Sequence, residues 1–288
     1  MAAEWLTTVF VLGGVFVLLF GLERWIPLRK PRHGLARRLR ANLAISALAL
    51  LTATLLVDPA GIRALEFASD HGIGLLRWAG LPAAAEFMLG FALLDLTFYY
   101  WHLANHKVGF LWRFHNVHHI DPDLDVSTSF RFHFAEVAMS AGFRIVQIAT
   151  LGVSPVTFAI YELAFQIGTL FHHSNVRMPL MAERFLNLVV VTPRMHGIHH
   201  SEVRRENHSN FSVVFPWWDR LHRTLRLNVP QAQIVIGIPA YPDTTDNQPG
   251  HALLMPVRRQ REYWRRPDGT RAERNPLDLR APLSRMEP

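Results

Sequence analysis

The 288-residue chain contains no cysteine. That excludes disulfides, thiolate zinc sites, iron–sulfur clusters and a thiolate-ligated haem. Charge is also scarce. Asp, Glu, Lys and Arg make up 18% of the residues and apolar types 50%, against roughly 25% charged in a typical soluble domain. No Gly-x-Gly-x-x-Gly occurs, so the chain shows no nicotinamide or flavin fingerprint. No His-Glu-x-x-His supports a zinc-protease helix, and no Glu-x-x-His supports a carboxylate-bridged di-iron bundle. The first residues lack the basic stretch of a cleavable signal peptide.

What the chain does have is long apolar runs and clustered histidine. Residues 6–22 read as a membrane helix, slightly short of the roughly 20 residues of a full span. A second uncharged run covers 42–57 and is expected to stop at Asp58-Pro59; a third covers 87–101. Residues 134–171 are apolar but broken by Gly152 and Pro155, which predicts a helical hairpin of two pieces of about 24 Å each. The formal charge is +7, concentrated around residues 24–40 and 258–271. Basic loops flanking apolar spans explain that balance, and no nucleic-acid partner is expected. The loop carrying Arg24, Arg29, Lys30, Arg32, Arg37, Arg38 and Arg40 belongs on the cytoplasmic side by the positive-inside rule. Two crossings later, and again after the hairpin, the chain returns to that side.

Thirteen of the sixteen histidines lie between residues 102 and 222, and they are grouped. His102 and His106 stand four apart and share a helix face. His115, His118 and His119 combine offsets of three and four, a spacing repeated by His196, His199 and His200. A pair stands at His172-His173. Adjacent histidines diverge by about 100° on a helix, so His118 and His119 can serve different ions. More than eight imidazoles exceed the three or four ligands of one zinc; two six-coordinate ions fit the number better. Bis-imidazole haem would leave most of them idle. Asp95, and likewise Asn175 and Asp219, are candidates to orient ligand imidazoles by accepting a ring N–H.

The ordered segments Tyr100-Trp-His-Leu-Ala-Asn-His106, Leu111-Trp-Arg-Phe-His-Asn-Val-His-His119, Ser127-Thr-Ser-Phe-Arg-Phe-His133, Phe171-His-His-Ser-Asn175, Pro193-Arg-Met-His-Gly-Ile-His-His200 and Trp217-Trp-Asp-Arg-Leu221 resemble the fatty acid hydroxylase and sterol desaturase superfamily of membrane di-iron oxygenases. The resemblance covers roughly residues 95–224. It implies metal ligation by His102, His106, His115, His118, His119, His173, His196, His199 and His200, with His133 added. His172 is the weaker of its pair. His208 and His222 are read as peripheral, and His33, His71 and His251 as incidental. Leu103, Phe134 and His222-Arg223 depart from common family residues without removing a ligand.

The expected fold is all-α: a membrane helical bundle with a cytoplasmic histidine-rich di-metal site and a short irregular C-terminal tail. Residues 1–83 would hold the first membrane helices and the basic loop, residues 84–225 the histidine-box domain with its membrane helices, and residues 226–288 a soluble tail with one short strand at 233–238. By resemblance the cofactors are two iron ions, for which zinc can substitute in a purified sample, with O2 as co-substrate. The partners are a lipid from the bilayer and an external electron donor, a reductase acting with ferredoxin or a small cytochrome. The implied activity is hydroxylation or desaturation of a sterol, fatty acyl or ether lipid. A metal-dependent membrane lipid hydrolase and a non-enzymatic metal or haem protein are the rival readings.

Overall fold

The computed structural model describes residues 2–274, and the side chains from residue 6 onward. Among the described residues every regular element is helical. Helix α1 spans Ala2–Trp25, α2 Leu35–Thr52, α3 Asp58–Asp70, α4 Leu75–Trp78, α5 Ala83–Lys107 and α6 Gly109–His119. Then come α7 (Phe134–Leu151), α8 (Pro155–His173), α9 (Leu180–Leu186), α10 (Pro193–His199), α11 (Arg204–Asn207), α12 (Trp217–Leu221) and α13 (Pro249–Leu254). Four helical stretches are long and apolar enough to cross a membrane: Leu6–Trp25, Leu35–Trp78, Ala83–Lys107 and Phe134–Leu151.

The expected stop at Asp58-Pro59 is not one. A π-helical turn at Ala53–Val57 joins α2 to α3, and Pro59 sits in the first turn of α3. Proline lacks the N–H that an α-helical ladder needs and crowds the carbonyl four residues back. The wider turn accommodates that defect and the chain stays helical.

The hairpin does form where expected. Gly152 ends α7 in the left-handed region at φ 67°, Ser154 caps α8 by accepting from the Thr157 N–H, and Pro155 occupies the first turn. The Glu86 carboxylate accepts from the Ser154 N–H at 2.9 Å and from the Thr157 hydroxyl at 2.8 Å, fastening the hairpin to the start of α5. Gly152 also touches Gly74, so closely that a Cβ on Gly74 would lie 2.2 Å from the Gly152 Cα. Only glycine permits that approach.

Part of the irregular C-terminal segment packs on the helices. Ile238, Ala240, Tyr241, Ala252 and Met255 bury against Ile45, Trp112, Val117 and Ile120. The expected strand at 233–238 is a 3-10 turn at Gln231–Gln233 and a single antiparallel bridge between Ser201 and Ile236. Proline and mixed charge hid this docking, because its contacts are isolated side chains without a helical or strand period. The basic loop is likewise only partly exposed. Arg38 is buried and binds Asp121 at 2.8 Å and Asp125 at 2.7 Å. Arg29 is buried, with its guanidinium on Gln231 at 2.6 Å. Arg24, Lys30, Arg32, Arg37 and Arg40 remain exposed.

Candidate dimetal centre

Three helix ends and one short helix deliver the histidines. The C-terminal turn of α5 presents His102 and His106, α6 presents His115, His118 and His119, α8 ends on His173, and α10 carries His196 and His199 with His200 at its cap. Their ring nitrogens form two groups. One comprises His102, His106, His115, His119 and His199; the other comprises His118, His173, His196 and His200. Within each group the ligating atoms lie within 4.8 Å of one another, and every member is buried. The repeated spacing is used in mirror fashion. Helix α6 sends its i,i+4 pair, His115 and His119, to the first group and His118 to the second. Helix α10 sends His196 and His200 to the second and His199 to the first. Adjacent rings on one helix therefore serve different centres.

Outer hydrogen bonds fix the ring tautomers. The Nδ1 of His102 meets the Phe211 carbonyl at 2.7 Å, that of His199 the Ser209 carbonyl at 2.7 Å, and that of His173 the Thr169 carbonyl at 2.8 Å. A carbonyl only accepts, so each Nδ1 carries the proton and each Nε2 a lone pair. His115 donates from Nδ1 to the Glu136 carboxylate at 2.7 Å. The Asn207 amide faces the Nδ1 of His119 at 3.2 Å.

In the second group Nε2 of His173 lies 3.0 Å from Nε2 of both His118 and His196, and His196 lies 3.1 Å from His200. A neutral imidazole with its proton on Nδ1 has none on Nε2, so these contacts cannot all be hydrogen bonds. In the first group both ring nitrogens of buried His106 and Nε2 of His199 find no partner among the described residues. Buried polar atoms left without a partner cost roughly 1–3 kcal/mol each. A cation among the converging lone pairs removes the first conflict and gives a partner to His199 Nε2 and to one nitrogen of His106, and neutral imidazole is a suitable donor for iron, zinc or copper. Burial, reinforced by neighbouring imidazoles, holds His118, His119, His196, His199 and His200 well below the ordinary histidine pKa. They are neutral at pH 7, as metal binding requires.

The other sequence candidates lie elsewhere. His133 is not brought to either group: Nδ1 accepts the Ala135 N–H at the start of α7 and Nε2 meets the Leu253 carbonyl at 3.0 Å. Two local partners consume both nitrogens. His172 packs with its ring centroid 4.1 Å from that of His196, tilted by 45°, outside both groups. His222 is held by the Tyr100 hydroxyl at 2.8 Å and the Trp218 carbonyl at 2.8 Å. His208 packs 5.3 Å from Trp264 and 5.8 Å from His106.

Among the described residues, the three residues expected to orient imidazoles make no hydrogen bond to one. Asp95 accepts from the Val214 and Phe215 N–H groups and from Trp218 Nε1, tying α5 to the chain before α12. Asn175 pairs with the backbone of Arg29 on both sides. Asp219 accepts the Phe211 N–H at 2.9 Å and the Ser212 N–H at 2.8 Å. It thus steadies the peptide whose carbonyl holds His102, at one remove. Their acceptor oxygens were consumed by backbone donors that no spacing rule reveals. Glu136 fills the role instead, for His115. The one available signal was a lone carboxylate, Glu136, in an apolar run three residues after His133.

Beside the centre an apolar cavity of about 190 Å³ is walled by α2, the π-helical turn, α5, α7 and α8. His102, His115, His118, His173 and His196 form one end of it, with His172 beside them.

The model of the family described as fatty acid hydroxylase matches residues 87–224. An ornithine lipid hydroxylase of Rhizobium tropici is 32% identical over 158 residues, covering 54% of this chain and 46% of that protein. Human cholesterol 25-hydroxylase is 28% identical over 168 residues, 54% of this chain and 60% of its own. An alkylglycerol monooxygenase of Caenorhabditis elegans is 28% identical over 131 residues, 45% of this chain and 25% of its own. The chain spans about half the length of the first two of these curated relatives. No solved structure matches it. The matched residues 87–224 contain every histidine of both groups, so the similarity to the fatty acid hydroxylase family and to these hydroxylases and monooxygenases runs through the residues that build the centre.

Proposed function

We propose that the chain is a membrane-bound, di-iron, O2-dependent oxygenase that hydroxylates a lipid. The observation that carries this reading is the convergence of nine buried imidazoles in two groups at the end of an apolar cavity. Five would hold one ion and four the other, leaving positions for oxygen or water. When bound, the iron pair supplies activation of O2 for attack on a C–H bond. The stoichiometry is substrate C–H plus O2, two electrons and two protons, giving C–OH and water.

The residues of the chain contribute positioning. Glu136 and the carbonyls of Thr169, Ser209 and Phe211 hold protons on Nδ1 and keep the opposite nitrogens free to ligate. Phe98, Phe130, Phe132, Val137 and Phe165 line the cavity and exclude water from an apolar chain held against the histidines. A lipid substrate agrees with those walls, and the relatives named above are lipid enzymes by name. Hydroxylation is preferred to desaturation because those names are hydroxylase and monooxygenase.

The two electrons come from a separate reductase with ferredoxin or a small cytochrome. The exposed cations of the first loop favour an acidic donor and a cytoplasmic centre. Purified protein is expected to hold about two irons per chain and to show no haem absorption. Cells with and without it should differ in a hydroxylated lipid, and His199→Ala should lose iron and activity together. Near-wild-type activity in that variant would refute the ligand assignment, and a single zinc would favour a hydrolase.

A further inference from the structure

The apolar cavity carries an ion pair that the oxygenase chemistry does not use. Arg144 of α7 is 6% exposed and donates to Glu162 of α8; both line the cavity. A guanidinium has five N–H groups, and this single bond to Glu162 is the one side-chain hydrogen bond of Arg144 among the described residues. Around it stand the rings of Phe98, Phe158 and Phe165, with centroids 5.5–5.8 Å from its central carbon. Asp58, at the exposed rim of the cavity, also feels its charge. Ionisable groups inside membrane segments are costly and usually face a functional cavity.

The pair is remote from the histidines. Arg144 follows Glu136, the partner of His115, by eight residues on α7, or ~12 Å of helical rise. Glu162 precedes His173 by eleven residues on α8, or ~16 Å. Resting on the oxygenase reading above, we propose that Arg144 and Glu162 anchor a lipid hydroxyl or amide and present carbon some 12–16 Å away to the histidine centre. Such a group accepts from the spare guanidinium N–H groups and donates to the carboxylate. A lone anion is opposed by Glu162 and Asp58. A simple ammonium would leave the guanidinium N–H groups unmet. The cavity then acts as a ruler that selects both the substrate class and the position oxidised.

Single substitutions strand a buried charge and risk misfolding, so the test uses the double variant R144M/E162L, which replaces a buried pair by apolar side chains of similar size. A long-chain alkan-1-ol competes with the alkane of equal length, and products are assigned by mass spectrometry. Wild type should prefer the alcohol about tenfold in kcat/KM, as one or two net hydrogen bonds allow, and should oxidise it at one fixed offset. The double variant should lose the preference and spread its products while keeping its iron and its rate on the alkane. Binding of the two lipids to the metal-free H199A protein, read by native mass spectrometry, gives the same contrast without turnover. Equal affinity for both lipids in H199A, or a preference and position retained in a folded R144M/E162L, would overturn the anchor. Failure of iron-loaded wild type to oxidise any lipid would instead refute the oxygenase reading, with the binding contrast still judging the anchor.

Discussion

Replacing Glu136 by leucine tests whether the buried carboxylate serves the metal centre or merely the fold. Its Oε1 accepts the Nδ1–H of His115 at 2.7 Å, and the residue is 5% exposed. Glu136→Leu leaves that N–H buried without a partner, at a cost of about 1–3 kcal/mol, and lets the imidazole rotate or change tautomer. Loss of such an outer partner typically weakens metal binding 10–100-fold, equivalent to about 1.4–2.7 kcal/mol at 1.36 kcal/mol per decade. Glu136→Gln keeps an acceptor of the same shape without the charge, so it should fall between wild type and leucine. The assay is a chelator titration of iron-loaded protein, with metal content measured at each step and thermal unfolding followed in parallel on the metal-free form. The expected order of metal retention is Glu, then Gln, then Leu, with a smaller spread in the metal-free melting points. Equal metal retention by all three proteins would refute the reasoning. So would a loss of metal fully explained by unfolding of the metal-free protein.

His133→Ala should keep the full metal content, because both nitrogens of that ring are engaged in an N-cap and a carbonyl contact; the expected cost is about 1 kcal/mol in an unfolding experiment. Gly74→Ala puts a Cβ 2.2 Å from the Gly152 Cα at a φ of +115°. Destabilisation beyond about 3 kcal/mol should appear as a sharp fall in folded yield. Removing metal should lower the thermal midpoint of wild type, since a ligand that binds only the folded state stabilises it by mass action. The same chelator should have little effect on His199→Ala, which is expected to bind little metal; an equal fall in both proteins would argue against the histidine centre.

The grouping of histidines could be read before folding because helical geometry is local. Offsets of three and four place rings on one face, while neighbours diverge, and His118 and His119 do part to different groups. The hairpin was similarly legible: a left-handed Gly152 ends one helix and Pro155 starts the next. Asp58-Pro59 misled because a π-helical turn absorbs the proline, and that adjustment depends on the helices packed around it. Asp95 misled for a different reason. A carboxylate about two turns from His102 lies on the same helix face as that imidazole, but the backbone donors of Val214 and Phe215, far along the chain, arrive first.

The sequence by itself determined an all-helical chain with membrane-length apolar stretches and enough helically spaced histidine for two ions. Those properties depend on composition and on contacts within a few residues. Tertiary packing alone decided that Glu136 and the Phe211, Ser209 and Thr169 carbonyls fix the tautomers, that His133 stays outside, and that Arg144 meets Glu162 inside the cavity. Several of these pairings join residues far apart in the chain. A hydrogen bond needs placement to a few tenths of an ångström, and that placement exists only once the helices have packed.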